Sequence, residues 1–221
     1  MINAFVVFQT FAKYQNNDIA KGQENYMKNH FKFYGITSPQ RKTIQKPWLI
    51  KTALPTKDKA IEIAIELYQN PHRECHYFAI ELIEKYSKNF AIEDINHLEY
   101  FIINQSWWDS VDLIASTLVG RYFLTYPEQR QSFVNKWLSS NHLWLQRTAV
   151  LFQLKYKKQL DQEMLTQIIK HLSGSKEFFI NKAIGWILRE YSKTNPFWVK
   201  DFMTTNQLHP LSIREGSKYL G

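Results

Sequence analysis

The sequence predicts an all-α protein, an α-solenoid of stacked helix pairs, on three observations. A tyrosine preceded by a charged residue closes one apolar-periodic segment after another, at Tyr86, Tyr122, Tyr156, Tyr191 and Tyr219, with separations of 36, 34, 35 and 28 residues. A period in the mid-thirties with two helices per unit is the mark of a helical-repeat array. The seven prolines, at 39, 47, 55, 71, 127, 196 and 210, fall between the apolar-periodic segments, where they punctuate helices without breaking them. No stretch sustains the alternation of a half-buried strand. Consensus residues of the TPR and ankyrin types are absent, so the pairs are expected to be HEAT-like. Equivalent positions should then line the concave side of a curved stack, here as a basic groove.

Taken in order, residues 1–55 read as N-terminal helices and residues 56–221 as about five helix pairs, all in a single domain. Two helices are expected before residue 33, the second running from Gln23 to Phe33 and ending at Gly35. Ser38 followed by Pro39 has the form of a cap and a first-turn proline, opening a short basic helix. The first helices of the pairs are expected at 57–69, 92–103, 127–138, 161–171 and 194–204. The second helices are expected at 71–88, 107–124, 141–157, 176–192 and 208–220. Stripes such as Phe78, Leu82 and Ile83, or Ala149, Val150, Phe152 and Leu154, read as core, as do Phe90, Phe133 and Phe202.

A hydrophobic share of 44% with 22% charged residues is that of a soluble globular chain and excludes disorder as the default. Against 20 acidic residues stand 28 Lys and Arg, a formal charge of +8, which suits a polyanionic partner. The single cysteine, Cys75, cannot form an internal disulfide, and His72 with His76 lacks a third metal ligand, so no metal is expected and both histidines read as surface residues. The first residues lack a basic leader and no apolar run reaches membrane-spanning length. A cytoplasmic protein without cofactor or membrane, expected to be a monomer, fits these features.

Ten residues before each closing tyrosine lie His76, Asp112, Gln146 and Asn181, and one residue later Tyr77, Leu113, Arg147 and Lys182. A polar ladder on one face of the stack is the expectation. Cations stand beside it: Arg73, Arg147, Lys182 and Arg189, with Lys28, Lys32, Arg41 and Lys42 from the N-terminal part. Such residues hold phosphates without reading sequence. Any one of them is more often a solvated helix charge.

Two indoles make the set informative. Trp108 and Asp112, four apart at the opening of a helix, share a face, and Trp186 lies beside the ladder. A carboxylate in a cationic groove hinders DNA binding, so it should compensate by stabilising positive charge. Hydrolysis of an N-glycosidic bond develops an oxocarbenium-like sugar that a carboxylate can stabilise while it positions water. A purine alkylated at N3 or N7 is already cationic and leaves without a general acid. Indole faces attract such a cation by roughly 0.5–2 kcal/mol. Each residue has a plainer reading: tryptophans in helices are more often core, Asp112 could pair with Arg147 across adjacent repeats, and Asp109 could serve the helix dipole. Trp48, Trp137, Trp144 and Trp198 read as core or rim.

The segments Trp107-Trp108-Asp109-Ser110-Val111-Asp112, Gln146-Arg147-Thr148-Ala149 and Asn181-Lys182-Ala183-Ile184-Gly185-Trp186-Ile187-Leu188-Arg189-Glu190 resemble the AlkD-type DNA alkylation repair glycosylases. The run Tyr26-Met27-Lys28-Asn29-His30-Phe31-Lys32-Phe33-Tyr34-Gly35-Ile36 is similar to theirs as well. The resemblance implies HEAT-like repeats around duplex DNA that contains alkylated bases, and excision of cationic N3- and N7-alkylpurines without metal or cofactor. It implies that Asp112, Trp108 and Trp186 meet the damaged nucleotide, with Arg147 on the backbone. Lys182, Arg189, Arg73, Tyr26 and Lys28 are the further expected DNA contacts. Two other readings stay open: a repeat module that binds duplex or branched DNA without releasing a base, and a protein-binding solenoid.

Overall fold

The computed structural model describes residues 2–220, and the chain falls into two compact units, Met1–Phe90 and Ala91–Gly221. Among the described residues there is no β-strand, only an isolated bridge between Lys32 and His72. No helix among them is long and apolar enough to cross a membrane.

The first unit contains α1 (Ala4–Lys13), α2 (Asn17–Tyr26), α3 (Ser38–Gln45), α4 (Lys57–Tyr68) and α5 (Arg73–Glu84). Helices α4 and α5 form the pair expected at 57–69 and 71–88. They pack through Ile63, Ala64 and Leu67 on one side and Phe78, Ala79 and Leu82 on the other, all buried. The second N-terminal helix departs from expectation. It starts at Asn17, because the Asn16 side chain accepts from the Asp18 and Ile19 amides. It stops at Tyr26, because Lys28 and Asn29 take left-handed backbone angles, φ +53° and +59°. The chain from Tyr34 to Ile36 is then non-helical, and its three amides donate to the buried Glu74 carboxylate at 3.0–3.1 Å. Gly35 is required there: at φ +85°, a Cβ would lie 2.0 Å from the Asn16 carbonyl oxygen. The cap of α3 is Thr37, one residue before the expected Ser38, with Pro39 in the first turn.

The second unit holds α6 (Ile95–Ile103), α7 (Trp108–Leu113), α8 (Gly120–Thr125), α9 (Arg130–Ser139) and α10 (Leu143–Leu151). After these come α11 (Gln162–His171), α12 (Phe178–Ser192), α13 (Pro196–Thr205) and α14 (Pro210–Gly216). A π-helical stretch, Ile114–Val119, joins α7 to α8, so the expected helix 107–124 is one rod with a widened turn. Phe90 and Phe202 are buried as expected, while Phe133 is only half-buried.

The closing tyrosines have a mechanical role. The hydroxyl of Tyr122 donates to the Ile92 carbonyl at 2.6 Å, that of Tyr86 donates to Pro55, and that of Tyr191 accepts from Gln162 at 2.7 Å. Each ties the end of a second helix to the start of its own first helix. Tyr156 instead donates to the Gly120 carbonyl, in the preceding pair, at 2.7 Å.

The polar ladder is not a solvated face. His76 is buried, a correction to its reading as a surface residue; its Nε2 lies 2.7 Å from the Asn70 carbonyl and its Nδ1 accepts from Arg73 Nη1. Gln146 donates to the Leu138 carbonyl at 3.0 Å, and Asn181 to that of Ser175 at 2.8 Å. In three of four repeats the tenth-position side chain therefore bonds a backbone carbonyl just before its own helix, in the connecting turn for His76 and Asn181 and in the last turn of α9 for Gln146. Asp112 is the exception.

Candidate functional site

Asp112 is 9% exposed and pairs with a guanidinium where the other ladder residues bond a backbone carbonyl. Arg147 Nε donates to its Oδ1 at 2.7 Å and Nη2 to its Oδ2 at 2.8 Å, a bidentate fork from α10 onto α7. Arg147 Nη1 donates to the Phe179 carbonyl. The 35-residue interval between Asp112 and Arg147 is one repeat, so the fork joins neighbouring pairs. Burial pushes the Asp112 carboxyl above the usual carboxylate range, and the hydrogen bond and charge of Arg147 offset part of that rise.

The pair forms one wall of a cavity of about 330 Å³. Trp108, one turn before Asp112, lines it from α7. Helix α12 contributes Phe178 and Phe179 at its first turn, then Lys182, Trp186 and Arg189. The last three recur at helical spacing on one face, opposite a buried face of Ala183, Ile184, Ile187 and Leu188. Phe179 packs against Trp107 and Trp144 with ring centroids 5.2 and 5.1 Å away, which closes the space behind the fork. A larger hollow of about 830 Å³ in the first unit, lined by Ile2, Val6, Trp48 and Leu54 among others, has Lys59 as its one charged lining residue among the described residues. It offers neither an acid nor a cluster of cations.

The sequence-predicted residues separate into three groups. Asp112, Trp108, Trp186, Arg147, Lys182 and Arg189 come together around the one cavity. Arg147 nevertheless departs from its expected place on a DNA backbone: it is 3% exposed and directs Nε, Nη1 and Nη2 into the protein, so it positions Asp112. Arg73 departs from its expected place as a DNA contact, for it is fully buried in the first unit with its guanidinium 3.9 Å from the Phe31 ring centroid. Tyr26 and Lys28 are exposed, at the end of α2 and just beyond it, in the first unit.

Three participants were missed. Phe178 and Phe179 carried a readable signal, since Phe178 precedes Lys182 by four residues and Phe179 precedes Trp186 by seven. Glu215 of α14 carried none. Nearly buried, it receives Lys182 Nζ at 2.9 Å, Lys218 Nζ at 2.8 Å and Arg189 Nη1 at 3.3 Å. Hydrogen bonds from Lys182 and Lys218 hold its carboxyl at about 2. No group of three or more His, Cys, Asp or Glu suited to a metal ion occurs among the described residues.

A carboxylate fixed by a guanidinium, two indoles and a flank of cations can stabilise a cation beside a phosphate chain. The sequence model of a family described as "DNA alkylation repair enzyme" matches residues 7–220. A solved structure described as "Predicted DNA alkylation repair enzyme from Enterococcus faecalis" superposes with a TM-score of 0.87 at 34% sequence identity, covering 94% of this chain and 97% of that one. No curated protein matches the chain.

Proposed function

The chain belongs to the DNA alkylation repair enzyme family, and from that premise we propose that it is a monofunctional DNA glycosylase. Its substrates are positively charged N3- and N7-alkylated purines in duplex DNA, whose N-glycosidic bond it hydrolyses. The observation that carries this reading is the Asp112–Arg147 fork in a cavity walled by Trp108 and Trp186.

In this reading the two indoles receive the cationic nucleotide, while Lys182 and Arg189 face the adjoining phosphates. As the C1′–N bond breaks, its electrons leave with the base, whose charge they neutralise, and the sugar becomes oxocarbenium-like. Asp112 stabilises that sugar and orients the water that adds to C1′, the water proton passing to solvent. Each carboxylate oxygen has a second acceptor lone pair beyond the one Arg147 uses. Burial strengthens the attraction between Asp112 and the sugar cation, because little water screens it.

The test is release of 7-methylguanine from methylated duplex DNA. Asp112→Asn is expected to lower release about 100-fold or more, the scale set by loss of one preorganised electrostatic contact. Because Asn leaves Arg147 facing a neutral partner, circular dichroism and duplex affinity should accompany the assay. Trp186→Ala leaves the fork intact and should reduce release by roughly 2–30-fold, the worth of one cation–π contact. Undiminished release by Asp112→Asn would exclude the mechanism.

The bidentate engagement of Asp112 also favours a second reading, in which the pair is neutral and structural and the protein binds DNA without excision. Wild-type protein would then release no base, while its duplex affinity falls steeply with salt.

A further inference from the structure

Lys182 and Arg189 face the cavity, yet neither stands alone. Both direct a nitrogen at Glu215, Lys182 at 2.9 Å and Arg189 at 3.3 Å, and Lys218 adds a third cation at 2.8 Å. Glu215 is 4% exposed, while Lys182, Arg189 and Lys218 have side chains between a quarter and a half exposed, and a fourth cation, Arg214 at 3.9 Å, is more exposed still. The acid is therefore fixed and the cations are the parts that can move. Its place is built into the backbone. Gly185, between Lys182 and Trp186 on α12, brings α14 so close that a Cβ would lie 2.5 Å from the Glu215 Cβ and 2.9 Å from the Ser212 carbonyl oxygen. The Ser212 hydroxyl in turn donates to the Asn181 carbonyl at 2.8 Å.

We propose that Glu215 is an internal stand-in for a DNA phosphate: it occupies Lys182 and Arg189 and so limits how many backbone phosphates this wall of the cavity neutralises. The inference rests on the DNA-binding part of the function proposed above and adds a regulator to it. Non-specific affinity comes from phosphate neutralisation, and each phosphate contact steepens the dependence on salt. A cavity that clamped every undamaged backbone would hold the protein away from lesions. Withholding two cations lowers that background and leaves the indoles and Asp112 to select the cationic base.

The experiment is binding to an undamaged duplex across a salt series, for wild type, Glu215→Gln, the Lys182→Met/Arg189→Met pair, and that pair combined with Glu215→Gln. Glutamine keeps the size and removes the charge. Glu215→Gln is expected to bind more tightly, with a steeper salt slope. Fourfold dilution of salt should raise its affinity about 3.5-fold more than that of wild type for each cation freed. In the background without Lys182 and Arg189 the gain should fall by the share of those two cations, to at most what Lys218 and Arg214 supply, which no general loosening of α14 would produce. An unchanged or shallower slope in Glu215→Gln, or a gain that persists undiminished in that background, overturns the proposal. If wild type itself fails to bind duplex DNA, the functional reading falls as well, so the two failures are distinguishable.

Discussion

Arg147 and Asp112 form a pair in which each partner makes the other tolerable in the interior. Removing one member of a buried pair strands a charge, which typically costs about 3–5 kcal/mol. Arg147→Met should therefore lower stability by that order, read from urea unfolding, and should also change how release depends on pH. In the proposed mechanism release requires the Asp112 carboxylate, and burial already places that group above the usual aspartate range, with Arg147 pulling it down. The acid limb of the wild-type profile should accordingly lie above the ordinary aspartate value of about 3.9, and in Arg147→Met it should move further up. The stability sign is opposite to that of a depressed acid. The folded state takes up this proton more readily than the unfolded one, so ionised Asp112 costs stability above its folded pKa, and the cost is relieved as pH falls through it. A profile that Arg147→Met leaves in place would show that Arg147 does not set the charge of Asp112.

Among the elements, the closing tyrosines test whether the repeat is mechanical or only a pattern. Tyr122 is buried and its hydroxyl holds the start of its own pair at Ile92, whereas Tyr219 is 59% exposed. Tyr122→Phe should cost about 0.5–1.5 kcal/mol, the net worth of one hydrogen bond. Tyr219→Phe should fall within about 0.5 kcal/mol of wild type. Equal effects in thermal unfolding would remove the distinction. The same tyrosines explain why the pairs were legible: in three of them, Tyr86, Tyr122 and Tyr191, a hydroxyl that reaches back to the first helix ties the length of the unit, and that length recurs in the sequence. Helix α2 was illegible for the opposite reason. It ends where Lys28 and Asn29 turn left-handed, and the segment beyond it is held by Glu74, about 40 residues away in sequence. No local pattern encodes that clamp, so an apolar run with helical spacing was read through it. The π-helical turn after α7 has no composition of its own and was equally invisible.

For the whole molecule, the excess of 28 basic over 20 acidic residues sets the background against which individual carboxylates act. The half of the site on α7 and α12 was readable because four- and seven-residue spacings place side chains on one face. The Asp112–Arg147 contact was readable only as one option, since the repeat period brings the two into register without stating which way either points. Glu215 lies 33 residues beyond Lys182 on another helix, and nothing in its neighbourhood distinguishes it from a solvated acid. It nevertheless dominates one consequence for the folded chain as a whole. Its carboxyl falls from an ordinary 4.5 to about 2, so the stability it supplies is present above about 4.5 and lost as pH falls towards 2. With solvent screening of its half-exposed lysine partners allowed for, that contribution is on the order of 1–2 kcal/mol. Urea titrations of wild type and Glu215→Gln should therefore differ by that amount near neutrality and converge as pH approaches about 2. A difference that persists undiminished in acid would assign the effect to packing of Glu215 against Gly185 and not to its charge.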